Sequence, residues 1–202
     1  MAHKPFQRKD RFYKKAKKEG YVARSAYKII ELHERYKIFR PKNRVVDLGC
    51  APGGWFQVGQ EKLNEGKMIG IDLLPLKISV QKRNAFIQGD FTDEKNQEEI
   101  KEFIGNEVDW VISDMSPDIS GIKFKDEYLS FELCNTALNF AMQVLKPGGG
   151  FLCKIFPSSE LDILKKDLKS KFEKIKIDIP EATRKSSSEI YLIGLNKKSE
   201  IS

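Results

Sequence analysis

Residues that hold metals are scarce in this sequence, which has 2 histidines and 3 cysteines among 202 residues. Cys50, Cys134 and Cys153 stand far apart, form no C-x-x-C pair, and have only His3 and His33 to assist them. Neither a zinc site nor any other metal site is expected, and the thiols read as the reduced cysteines of a cytosolic protein. No apolar run approaches the length of a membrane span. The opening residues lack the apolar core of a secretory signal, and Asp10 and Glu19 argue against a transit peptide. Repeats, low-complexity stretches and signs of a second domain are missing too. A single globular domain is expected, cytoplasmic and monomeric, with 40% apolar and 32% charged residues and enough length for a full core.

The net charge is +7, and where it lies matters more than its size. Residues 1–40 carry 13 Lys and Arg against 4 Asp and Glu, while the other 162 carry 23 against 25. The basic excess belongs wholly to the N-terminal fifth. Its densest stretch, from Arg8 to Lys18, sets Phe12 and Tyr13 among cations. Such a segment can neutralise phosphates and offer rings for base stacking, or it can be a solvated tail. On this ground residues 1–22 form a basic segment and residues 23–202 the domain proper.

Apolar spacing predicts a helix from Ala23 to Tyr36, carried by Ala26, Ile29, Ile30, His33 and Tyr36. Strands are expected at Arg44–Leu48, Met68–Leu73, Ala85–Gln88, Asp109–Ser113, Gly150–Phe156, Ile175–Ile179 and Ile190–Leu195. Leu133, Ala137, Phe140, Ala141 and Val144 mark one helix face between them, closed by Lys146-Pro147-Gly148-Gly149. Leu161, Leu164, Leu168 and Phe172 mark another, with Ser159 and Asp162 as its capping pair. Alternating strands and helices imply an α/β fold, a mostly parallel seven-stranded sheet with helices on both faces. The last two strands have no clear helix between them, so an antiparallel edge is expected.

Val45-Val46-Asp47-Leu48 runs into the turn Gly49-Cys50-Ala51-Pro52-Gly53-Gly54-Trp55, where an α/β sheet binds nucleotide-like ligands. The glycine spacing is not G-x-G-x-x-G, so a dinucleotide pyrophosphate fits poorly. A ligand without phosphate, whose amino-acid part rests on the turn, fits better. Asp72 ends the second strand, where a carboxylate can accept both hydroxyls of an adenosine ribose. Asp90 follows the third and can accept from an adenine amino group, with Leu73 or Phe91 against the ring. Either aspartate alone could be a turn or capping residue. Gly49, Gly53 and Gly54 with Asp72 and Asp90, all at successive strand ends, point to adenosine.

Asp114 ends the fourth strand on the same rim. Lys154 interrupts the apolar fifth strand, and burying it there requires an opposite charge such as Asp114.

These segments resemble the FtsJ family of RNA 2′-O-methyltransferases over nearly the whole chain. The resemblance rests on Gly20–Lys28, Asp47–Trp55, Asp72–Pro75, Gly89–Phe91, Ser113–Pro117, Lys154–Phe156 and Arg184–Tyr191. Cys50 and Ser116 stand where alanine is common in the family. The resemblance implies a Rossmann-like, S-adenosyl-L-methionine-dependent methyltransferase fold. It implies a catalytic set of Lys28, Asp114, Lys154 and Glu189, and cofactor contacts at Gly53, Trp55, Asp72, Asp90 and Asp114. Lys154 would act as a base or as a cation that stabilises the forming alkoxide. Lys28 and Glu189 would position the ribose. The implied substrate is ribosomal RNA in the large subunit, at a ribose 2′-hydroxyl of a uridine. A tRNA anticodon-loop methyltransferase, and an RNA-binding ribosome-assembly factor without essential catalysis, are the alternatives.

Overall fold

The computed structural model describes residues 11–199, so the basic stretch read from Arg8 begins outside them. Seven strands form one sheet in the order β3-β2-β1-β4-β5-β7-β6. β1 (Arg44–Leu48), β2 (Lys67–Asp72), β3 (Ala85–Gln88), β4 (Val108–Ser113) and β5 (Leu145–Ile155) run parallel. β6 (Phe172–Asp178) lies at the edge, and β7 (Ile190–Lys197) inserts between it and β5, antiparallel to both. The sheet is the mostly parallel one expected, with the antiparallel pairing at its far side.

Strand periodicity sorts the apolar side chains into two layers. Val46, Leu48, Phe151, Cys153 and Leu192 pack with α4 (Glu94–Ile104), α5 (Lys123–Val144) and α6 (Leu161–Lys171). Val45, Ile112, Leu152 and Ile193 pack on the other face with α2 (Ala26–Tyr36) and α3 (Gly54–Lys62). That alternation puts Lys154 on the face of Leu152 and Tyr191 on the face of Ile193. The two are cross-strand partners, so the strand pairing itself brings them together.

Several local expectations need correction. α2 starts at Ala26 rather than Ala23, because residues 23–25 form a tight turn with Ala26 N–H on the Ala23 carbonyl at 3.2 Å. Ser159 and Asp162 do not cap α6: the Ser159 hydroxyl donates to Glu160 at 2.8 Å, and Asp162 pairs with Lys165. Phe172, expected on that helix, opens β6. α5 ends at Val144, ahead of the Lys146–Gly149 stretch, but that stretch is already part of β5. A helix precedes the expected first one: α1 (Arg11–Glu19) lies within the basic segment.

Candidate active site

The C-terminal ends of the parallel strands surround a cavity of about 290 Å³ lined by Gly49, Asp72, Leu73, Asp90, Phe91 and Asp114, among others. It opens near the boundary between β1 and β4, where the strand order reverses, the usual place for a ligand in such a sheet. Gly49 turns there with φ 75°, and a Cβ on it would stand 2.8 Å from the Met115 Cα. Only glycine lets this turn pass so close to the end of β4. Asp72 clamps the turn to β2, one oxygen accepting the Ala51 N–H at 2.8 Å and the other the Leu74 N–H at 2.9 Å. Each of these oxygens keeps a lone pair for a ligand hydroxyl. In Asp90, Oδ1 accepts from the Thr92 N–H at 2.8 Å and the Thr92 hydroxyl at 2.7 Å.

Beside this cavity lies the polar set on the α2/α3 face. The Lys154 ammonium donates to the Asp114 carbonyl at 2.6 Å and stands 3.3 Å from Asp114 Oδ1. The same carboxylate oxygen accepts the Tyr191 hydroxyl at 2.9 Å. Burial, then the charge of Asp114, pushes the Tyr191 phenol well above its ordinary pKa, so it stays a donor. Tyr191 also stacks against Trp55, with centroids 5.7 Å apart. Near the same ring, Lys28 from α2 forms an ion pair with Glu189, its nitrogen 5.8 Å from the ring centre. The four residues of the expected catalytic set thus form two ion pairs bridged by one tyrosine.

The remaining sequence candidates stand behind the cavity. Gly53 caps α3 with φ 115°, and Gly54 packs so tightly that a Cβ would meet the Ser25 hydroxyl at 2.7 Å. Trp55 is buried, donating its indole N–H to the Ser25 carbonyl at 3.1 Å. Gly54 and Trp55 fix the turn against Ser25, at the start of the helix that carries Lys28, while Gly53 packs against Ile78.

The donor set suits an adenosine bearing a positive charge. Three carboxylates, Asp72, Asp90 and Asp114, face a space otherwise walled by Leu73, Phe91 and Met115. Acceptors for hydroxyls and an amino group, apolar walls for a ring, and net negative charge for a cation are what S-adenosyl-L-methionine would need. Among the described residues no group of three His, Cys, Asp or Glu is placed to hold a metal ion.

The family described as FtsJ-like methyltransferase matches residues 21–197. The chain belongs to that family. It is 46% identical over 191 residues to a ribosomal RNA large subunit methyltransferase E of Desulfatibacillum aliphaticivorans, covering 94% of this chain and 91% of that one. A protein of the same description from Coxiella burnetii is 44% identical, with coverages of 92% and 90%. A crystal structure described as a putative ribosomal RNA methyltransferase from Plasmodium falciparum superposes with a TM-score of 0.75 at 30% identity, covering 88% of this chain and 98% of its own.

In this FtsJ-like methyltransferase two further residues interact with the candidate set and were not singled out from sequence. Tyr191 is one; its place after Glu189 in the closing motif was the available signal. Asp47 is the other: it is fully buried at the end of β1, and neither carboxylate oxygen has a hydrogen-bond partner. Burial raises its pKa well above the ordinary range, and the charges of Asp114 and Asp72 raise it further.

Proposed function

We propose that this chain transfers the methyl group of S-adenosyl-L-methionine to a ribose 2′-hydroxyl of large-subunit ribosomal RNA. The observation that carries the reading is the Lys154–Asp114–Tyr191 set at the edge of an acid-lined, adenosine-sized cavity. Asp72 accepts the two ribose hydroxyls of the cofactor, and Asp90 the adenine amino group, with Leu73 and Phe91 against the base. When bound, the cofactor supplies an electrophilic methyl group on a sulfonium. Alignment of the attacking oxygen with that methyl then lowers much of the barrier.

Lys154 supplies the rest. Two of its three N–H groups have acceptors on Asp114, and the third is left for the ribose oxygen. There it would stabilise the negative charge that develops on the oxygen as the hydroxyl proton passes to solvent water. Asp114 fixes the ammonium, and Tyr191 fixes Asp114. Lys28 and Glu189 sit one ring away and position the sugar.

The names of the Desulfatibacillum and Coxiella relatives support the ribosomal substrate, and the basic composition of the segment 1–22 suits phosphate contacts. The reading places that action in the cytoplasm, by a monomer. The test is methyl transfer from labelled cofactor to large subunits, protein-free ribosomal RNA and tRNA in parallel. Label confined to ribosomal RNA is expected; label confined to tRNA would replace the substrate.

A further inference from the structure

Cations in this chain are not confined to the N-terminal segment. The cleft lies at the C-terminal ends of the parallel strands. At the opposite ends, Arg44 and Lys67, the first residues of β1 and β2, are cross-strand neighbours. With Lys42 and Arg83 they line a shallow cavity of about 440 Å³, whose one carboxylate, Glu65, is paired with Lys42 at 3.4 Å. Asp109 links this hollow to the next: it accepts the Arg44 backbone N–H at 2.8 Å and pairs with Lys146 at 2.6 Å. The second hollow, of about 530 Å³, adds Lys37, Arg40 and Lys174.

Among the described residues Lys37, Arg40, Arg44, Lys67, Arg83 and Lys174 form no ion pair. Lys67 has a structural task, since its ammonium donates to the Phe103 carbonyl in the last turn of α4. The other five side chains are exposed and have no such partner. Unpaired like charges on one face repel one another, so their proximity does not help the fold. A polyanion laid across them relieves that repulsion. Among the described residues that line the two hollows no aromatic is exposed: Trp110 is buried, and Tyr36 is half-buried with its hydroxyl bound to Asp178. Such a surface suits phosphates rather than bases.

The face is also too far from the chemistry to serve it. β2 separates the two ends by six residues, about 20 Å at a strand's rise. That is more than twice the Debye length of about 8 Å at physiological ionic strength. These cations therefore neither tune the cleft nor steer the target ribose.

We propose that this face is a second RNA-docking surface, which binds the phosphate backbone of an RNA segment other than the one carrying the target ribose. A folded ribosomal particle is thereby held at both ends of the sheet. The proposal rests on the ribosomal-RNA reading above, and its test separates the two. The full-length protein carrying Arg40→Gln, Arg83→Gln and Lys174→Gln together is compared with wild type. Cofactor affinity is expected to be unchanged, and KM for large subunits to rise about tenfold with kcat retained. The slope of log affinity for ribosomal RNA against log salt should become shallower by about two to three, as three lost phosphate contacts require. Equal KM and equal slope would overturn the proposal. A raised KM for particles with unchanged binding to protein-free RNA would assign the face to a ribosomal protein and overturn it likewise. If wild type methylates no ribosomal RNA, the substrate reading fails, while the salt slope still decides the docking surface.

Discussion

A lysine ammonium buried on the face of a sheet is stable only with acceptors at hand, and Lys154, 8% exposed, has two on Asp114. Replacing it by alanine removes the charge from the reacting oxygen without touching the adenosine end of the cavity. Lys154→Ala should reduce methyl transfer by at least about a hundredfold while cofactor affinity, measured by calorimetry, stays within a few-fold of wild type. Normal turnover would remove Lys154 from the mechanism. Asp72→Ala should do the reverse and weaken cofactor binding by about 1–3 kcal/mol, the loss typical of charge-assisted hydrogen bonds; unchanged affinity would move the ribose contact elsewhere. Asp47 makes a pH prediction. Its folded pKa is raised, so above the ordinary aspartate range the unfolded chain ionises while the folded one keeps its proton. Stability is lost as pH rises through that window. Thermal melts of Asp47→Asn and wild type should therefore diverge in the variant's favour as pH rises above the ordinary aspartate range; parallel curves would mean that Asp47 is not held protonated. Lys154 was legible in the sequence because a charge inside Phe151-Leu152-Cys153-Lys154-Ile155-Phe156 breaks an apolar pattern. Tyr191 and Asp47 were not: a tyrosine suits a strand, and an aspartate beside a glycine turn suits a cap. Only the pairing of β5 with β7 turns Tyr191 toward Asp114.

At the scale of elements, α1 is the least expected. It docks through Phe12 on Tyr27, with centroids 5.6 Å apart, through buried Ala16, and through the Tyr27 hydroxyl on Glu19 at 2.7 Å. Its Lys14, Lys17 and Lys18 stay exposed, on the helix that packs against the one carrying Lys28. The segment is thus no simple tail over Arg11–Glu19, and deleting it would uncover Tyr27 as well as remove charge. Substitution is the cleaner experiment. Lys14, Lys17 and Lys18 changed together to Gln should leave the melting temperature nearly unchanged, weaken RNA binding, and flatten its salt dependence by about two to three contacts; an unaltered slope would return α1 to a purely structural role. The glycine turn and the first five strands were readable because their apolar runs and turn residues are local. α4 was not singled out because only Ile100 and Ile104 of its eleven residues are buried. The start of α5 was hidden by Phe124, 70% exposed, which spoils the apolar stripe. The place of β7 between β5 and β6 depends on partners distant in sequence, which no local pattern encodes.

For the molecule as a whole, charge and cavity are arranged by the direction of the sheet. Carboxylates gather at the C-terminal strand ends, around the cavity proposed for the cationic cofactor, while lysines and arginines occupy the opposite end. Contacts of that kind read the shape and spacing of phosphates rather than sequence. A folded particle presents those phosphates in fixed positions, so large subunits should be methylated at least about tenfold faster than protein-free ribosomal RNA at one salt concentration. Equal rates on both would mean that the target's local sequence suffices. The central claim is more specific still: the methyl group goes to a ribose oxygen. A 2′-O-methyl group leaves no hydroxyl to attack the neighbouring phosphate, so it protects that linkage from alkali. The decisive measurement is alkaline digestion of ribosomal RNA labelled by this enzyme from methyl-labelled cofactor, followed by nucleoside analysis. The account predicts that all label resides in one alkali-resistant dinucleotide, which yields a 2′-O-methylated nucleoside. Label recovered in an alkali-sensitive nucleotide carrying a methylated base would contradict it.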